Sequence, residues 1–315
     1  MKKTAFLFPG QGSQSVGMAK DLYQEYAGVR ELFDIAEDVT RTHLARLCFQ
    51  GPMEDLTRTV NLQPAVTVAN FAFLYAVQKE NVFPDITAGH SLGEYSALNA
   101  TAVLSMEDTL RLVHKRGELM HRESEIFKGA MIAVIGLSME QVTSEIPDPA
   151  FFQPGECVTI ANHNAETQIV ISGDPESVKL MGVKLKEKGG RVMPLKVSGA
   201  WHSPLIKGAE EEFRDFLNTV TFSSPSWPVV FNVSADAATG TETIRGNMVE
   251  QLCSPVRWYE SMMKMVAEGV EHFVEIGPGN VLSGLMKRIV PEDFSGKIYT
   301  VNSMKSLELF FKDGI

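Results

Sequence analysis

Cysteine is scarce in this chain of 315 residues: Cys48, Cys157 and Cys253 stand far apart, without metal-ligand spacing. So sparse and odd a set excludes a disulfide framework and suits a reducing compartment. Among the seven histidines there is no H-x-x-x-H pair, so no zinc site is indicated. No apolar stretch approaches the ~20 residues needed to cross a bilayer, and no membrane partner is expected. Met1 to Phe8 begins like a signal peptide, but Pro9-Gly10-Gln11-Gly12 stops it before an apolar region of ~7–15 residues can form. A buried first strand is expected there instead, in a cytoplasmic protein. Basic residues are outnumbered, and a net charge of −10 disfavours nucleic acid as a partner. What is present, 44% hydrophobic and 22% charged residues, suits an ordinary globular core. The length permits one large domain or two modest ones, with a monomer as the default state.

Strand-like and helix-like segments alternate, which predicts an α/β fold with a largely parallel sheet. Expected strands are Thr4 to Phe8, Ile86 to Ala88, Val229 to Val233, Phe273 to Ile276 and Lys297 to Val301. Expected helices are Ala65 to Lys79, Leu92 to Ala100, Met106 to Arg122 behind a Ser105 cap, and Asn280 to Ile289. The middle reads differently. Strand Ala130 to Ile135, helix Ser138 to Ile146, strands Glu156 to Ala161 and Gln168 to Ser172, helix Pro175 to Lys188 and strand Arg191 to Val197 follow in order. That β-α-β-β-α-β order is a ferredoxin-like unit. The expected division is a small domain at 127–198 inserted into a large α/β-hydrolase-like domain of 1–126 and 199–315.

Gly89-His90-Ser91-Leu92-Gly93 fits the G-x-S-x-G nucleophile elbow, with a strand before it and a helix after it. The glycines relieve crowding at a sharp turn, and the free N–H groups of a helix N-terminus hold developing negative charge. An ordinary βα turn is the bland alternative. A serine nucleophile needs a base, and His202 is the candidate, at the return from the small domain to the large one; a structural loop histidine is the rival reading. His90, beside the serine, reads as a cleft wall. His43, His114, His121, His163 and His272 lie among polar residues and are expected at the surface.

Acyl transfer also needs N–H donors aimed at the oxyanion. Elbow geometry supplies Leu92, and Gln11, just after the first strand, is expected to supply the second. The glycine spacing after Gly12 fails the G-x-G-x-x-G fingerprint, which argues against dinucleotide binding. Arg116 falls inside the apolar half-circle of its helix, the only basic residue there, with no carboxylate on that face. A buried guanidinium needs an acceptor. Either it makes a structural ion pair, or it holds a ligand carboxylate in a two-pronged fork.

Eight segments together resemble the malonyl-CoA:acyl-carrier-protein transacylase family, including the free-standing acyltransferases of polyketide synthesis. They are Gly10-Gln11-Gly12-Ser13-Gln14, Gln63-Pro64-Ala65, Gly89 to Glu94, Arg116-Gly117-Glu118-Leu119-Met120, Ala161-Asn162-His163-Asn164, Ser198 to Ser203, Gln251 to Val256 and Glu275 to Gly279. The resemblance covers essentially the whole chain. It implies that Ser91 is acylated, with His202 as base and the Gln11 and Leu92 amides as oxyanion hole. It implies that Arg116 binds the malonyl carboxylate, that Gln63 lines the acyl pocket with Trp201 and His90, and that the backbone carbonyl of Gln251 orients His202. The implied substrates are malonyl-CoA and phosphopantetheinylated acyl carrier protein, with no metal or redox cofactor.

Two positions depart from the family. Trp201 replaces the usual phenylalanine or serine and is expected to crowd α-branched acyl groups. His121 replaces a common glutamine and faces away from Arg116 by helical count. Carrier proteins of such families are acidic, and Lys184, Lys186, Lys188 and Arg191 are candidates to receive one, or simply a solvated face. An acyl hydrolase of the same fold, acting on carrier thioesters, is the alternative function; a silent carrier-docking module is a more distant one.

Overall fold

The computed structural model describes residues 2–148 and 156–312. β1 (Thr4–Phe8) is followed by α1 (Lys20–Glu25), α2 (Ala27–Thr40), α3 (Leu44–Gln50), α4 (Met53–Thr57) and the long α5 (Thr59–Gln78). β2 (Ile86–Gly89) leads into α6 (Gly93–Ala100) and α7 (Met106–Ile126). Next come β3 (Ala130–Ile135), α8 (Met139–Thr143), β4 (Val158–Ala165), β5 (Gln168–Gly173), α9 (Pro175–Glu187) and β6 (Arg191–Pro194). A 3-10 turn at Pro204–Ala209, α10 (Glu210–Leu217), β7 (Val229–Val230), β8 (Ala237–Ala238), α11 (Thr241–Glu250) and α12 (Trp258–Ala267) follow. β9 (His272–Ile276), α13 (Val281–Ile289), β10 (Lys297–Val301) and α14 (Met304–Lys312) complete the order.

The main sheet runs β10-β9-β1-β2-β7-β8, parallel except for β8, and the second runs β4-β5-β3-β6, antiparallel. The strands of the main sheet are apolar on both faces because helices cover both. Phe6 and Phe8 point into the core formed with α5, α6 and α7. Ala5 and Leu7 point the other way, to Trp258, Met262 and Met265 of α12 and Leu282 and Met286 of α13. In the second sheet Ile132 and Val134 pack on Val178, Met181 and Leu185 of α9, whose first turn Asp174 caps.

Several expectations change, among them the strand expected at Arg191 to Val197, which ends at Pro194. α5 starts before Pro64 and runs 20 residues, apolar enough by composition to cross a membrane. It is a core helix: 83% of its apolar window is buried. The strand expected at Val229 to Val233 ends at Val230, where the chain turns back into β8. α7 continues one turn past Arg122, which puts buried Glu123 on the face of Arg116, one heptad on; Glu123 is held instead by Arg122, at 2.9 Å. His163 and His272 are buried rather than superficial. Each lies on a strand against an aromatic ring, His163 on Tyr259 with Glu260 at 3.1 Å, and His272 edge-on to Tyr299.

Candidate active site

Parallel register sets the site. β1 and β2 pair with Phe8 opposite Gly89, so the loops that follow them emerge side by side at the carboxyl edge of the sheet. β7 ends at that edge too and delivers Asn232. Ser91 takes a left-handed backbone, φ 49°. The turn is tight because a Cβ on Gly89 would strike the backbone of Gly93, and one on Gly93 the carbonyl of Phe8. Asn232 holds the turn from outside: its Oδ1 accepts from Ser91 N–H and its Nδ2 donates to the Gly89 carbonyl, both at 2.7 Å.

His202 lies on the chain after the second sheet, also left-handed at φ 58°. Its Nδ1–H donates to the backbone carbonyl of Gln251 at 2.8 Å, which leaves Nε2 as the acceptor, 2.8 Å from Ser91 Oγ. Burial above all, and then the Arg116 cation, push the imidazole down to about 3. The imidazole is therefore neutral, with the Nε2 lone pair free to accept a proton, but intrinsically a weak base. His90 is also held below the usual imidazole range by burial, with Nε2 2.8 Å from Asn164 Oδ1.

α7 approaches α5 closely at Gly117, where a Cβ would press on Thr59 and Val60. The neighbouring Arg116 is thereby aimed at the elbow, 1% exposed. Its Nη1 donates to Gln63 Oε1 at 3.0 Å, and its Nη2 to Ser91 Oγ and Gln251 Oε1, each at 3.2 Å. The guanidinium lies 5.6 Å from the Tyr95 ring centre, and its Nε has no partner. Among the described residues no carboxylate is ion-paired with it. The structure thus brings a cation to the serine and leaves it on neutral acceptors.

Ser91, His202 and Arg116 share one cleft with Gln11, His90, Leu92 and Trp201. The opposite wall comes from Met131 of β3 and from Leu195 and Val197 after β6. Among the described residues the backbone N–H groups of Gln11 and Leu92 have no internal acceptor. Gln63 does not line this cleft as expected. It is buried behind Arg116, because its amide is taken up by that guanidinium and by Met120 Sδ. Lys184 and Lys188 both pair with Glu145, at 2.8 and 3.0 Å, and stay about half exposed. His121 lines an adjoining cleft with Arg58 and Lys196. No cluster of three or more His, Cys, Asp or Glu with metal-binding geometry exists among the described residues.

The acyl transferase domain family matches residues 5–307. A relative from Bacillus subtilis (strain 168), named malonyl CoA-acyl carrier protein transacylase, is 45% identical over 293 residues, 92% of this chain and 91% of that protein. The chain belongs to the malonyl-CoA:acyl-carrier-protein transacylase family. Solved transacylases share its fold. The acyl carrier protein S-malonyltransferase of Vibrio cholerae superposes with a TM-score of 0.91 at 41% identity, over 98% of this chain and 99% of that one. A malonyl-transacylase solved in complex with its type II PKS acyl carrier protein gives 0.93 at 38%, over 99% and 100%.

Asn232 and Glu94 are the parts of this transacylase site that sequence reasoning missed. Glu94 stood in the elbow motif as a letter without a role. Asn232 was read as part of the strand expected at Val229 to Val233, and its place beyond the strand end emerges only because β7 stops at Val230.

Proposed function

We propose that this chain carries a malonyl group from malonyl-CoA to the phosphopantetheine thiol of an acyl carrier protein, through an ester on Ser91. His202 Nε2 takes the Ser91 proton as Oγ attacks the thioester carbonyl. The amides of Gln11 and Leu92 hold the oxyanion, a contribution typically worth about 3 kcal/mol per donor. The imidazolium returns its proton to the CoA sulfur, and the thiol leaves. The carrier thiol then gives its proton to His202, attacks the ester, and collapse of the second tetrahedral intermediate re-forms the Ser91 hydroxyl. Only proton and acyl transfers are involved, so the scheme assigns no metal or redox cofactor.

The buried Arg116 fork beside Ser91 supports this reading above all, because it lacks an internal acid and suits an acyl group ending in a carboxylate. Trp201 and His90 would line the space for that group, and the Gln251 carbonyl would hold the base. The carrier solved with a related transacylase supports a carrier as acceptor. We place the reaction in the cytoplasm, in keeping with three unpaired cysteines. Radiolabelled malonyl-CoA tests the scheme: label should stay on protein until holo-carrier is added and then move to it. Rapid release of free malonate would favour the hydrolase, and absence of protein-bound label would remove the scheme altogether.

A further inference from the structure

Glu94 is fully buried, on the first turn of α6, and the mechanism above gives it no part. Both of its oxygens accept hydrogen bonds. Oε2 takes the Asn232 N–H at 2.7 Å, and Oε1 takes the Gln251 Nε2 at 2.8 Å. The same Nε2 also donates to the Ser91 carbonyl at 3.1 Å. With two acceptors on one side, the Gln251 amide has only one workable orientation. Its NH2 faces Glu94, and its oxygen is left for Arg116 Nη2 at 3.2 Å.

We propose that Glu94 is the positioning residue for malonyl selectivity: through the Gln251 amide it turns an oxygen to Arg116 and holds the fork at Ser91. The inference rests on the functional reading of Arg116 given above. An acid in direct contact would occupy the fork and compete with the substrate carboxylate. An acid at one remove leaves the guanidinium on neutral acceptors, which a malonyl carboxylate displaces. Burial pushes the Glu94 carboxyl up to about 8, while the Asn232 N–H, Arg116 and Gln251 pull it back.

Glu94→Gln separates the roles. A carboxamide offers one acceptor and one donor group, but Asn232 N–H and Gln251 NH2 both demand acceptors. Either one bond is lost or the Gln251 amide inverts and presents NH2 to the guanidinium. Gln251→Met removes the bridge while keeping the backbone carbonyl that holds His202, and it decides the matter should Glu94→Gln fail to fold. The measurement is the ratio of kcat/KM for malonyl-CoA to that for acetyl-CoA, on the full chain with circular dichroism as the folding control. The expected result is a ratio at least tenfold below wild type in each folded variant, with acetyl transfer falling less than malonyl transfer. A purely structural Glu94 would lower both rates together and leave the ratio at its wild-type value, which would overturn the proposal. A wild-type chain with no malonyl preference would overturn the functional reading itself, a distinguishable failure.

Discussion

Arg116 Nη2 and His202 Nε2 converge on one atom, Ser91 Oγ, at 3.2 and 2.8 Å. The cation lowers the cost of forming the alkoxide, while burial first and the cation second keep the imidazole neutral. In the proposed scheme a substrate carboxylate engaging the fork would relieve the cation's share of that suppression and make His202 a better base. The proposed scheme thus links charge on the acyl group to proton transfer at the serine through the Arg116 side chain.

The pH profile follows. The imidazole sits at about 3 in the free enzyme, against 6.5 ordinarily. Because kcat/KM reports the free enzyme, acylation should show no acid limb near pH 6.5. An unperturbed base would lose about tenfold per pH unit below that point. Stability has the opposite sensitivity. Between about 3 and 6.5 the unfolded chain binds a proton at this position that the folded chain does not, so the His202 contribution to stability is lost as pH falls from 6.5 toward 3. Stopped-flow acylation between pH 5 and 8 checks the first point; an acid limb centred on 6.5 would contradict it.

Ser91→Ala should abolish covalent labelling by malonyl-CoA and leave the fold intact, because serine and alanine bear a left-handed φ about equally. Mass spectrometry of the intact chain reads the adduct, and persistent labelling would put the nucleophile elsewhere.

Trp201→Phe should widen acyl tolerance. The indole is 4% exposed, lines the cleft and leaves its Nε1 without a partner. The change removes that unsatisfied donor along with apolar area, so a stability loss of about 1–2 kcal/mol is expected. The kcat/KM for methylmalonyl-CoA relative to malonyl-CoA should rise severalfold, and an unchanged ratio would show that the ring does not bound the acyl space.

Gly93→Ala should be among the most disruptive single changes in the chain. Its Cβ would meet the Phe8 carbonyl, which is backbone and belongs to the central strand. A loss above about 3 kcal/mol is expected by analogy with severe core overpacking. Urea unfolding checks it; a variant within about 1 kcal/mol of wild type would mean the elbow can open.

Much of this was legible in sequence because the relevant signals are local. The G-x-S-x-G spacing encodes the elbow, and the half-circle of α7 holds Arg116 among apolar neighbours. The six elements from β3 to β6 follow in the β-α-β-β-α-β order read from the chain, since alternation, the Ser138 cap and the proline that opens α9 mark them. What was hidden depends on tertiary partners. The helix was expected only from Ala65, after Pro64, yet packing carries α5 through the proline. His163 and His272 looked solvated because their aromatic neighbours lie at other points of the chain. The bond from Asn232 to Ser91 spans 141 positions, and no spacing rule reaches that far.

The most direct test is Arg116→Ala, assayed for acyl loading of Ser91 with malonyl-CoA and with acetyl-CoA in parallel. A charge-assisted fork is worth about 2–4 kcal/mol, so malonyl loading should fall by about 30- to 1,000-fold relative to acetyl loading. Equal losses for both acyl groups would mean that the guanidinium only braces the elbow, and the malonyl assignment would lose its physical basis.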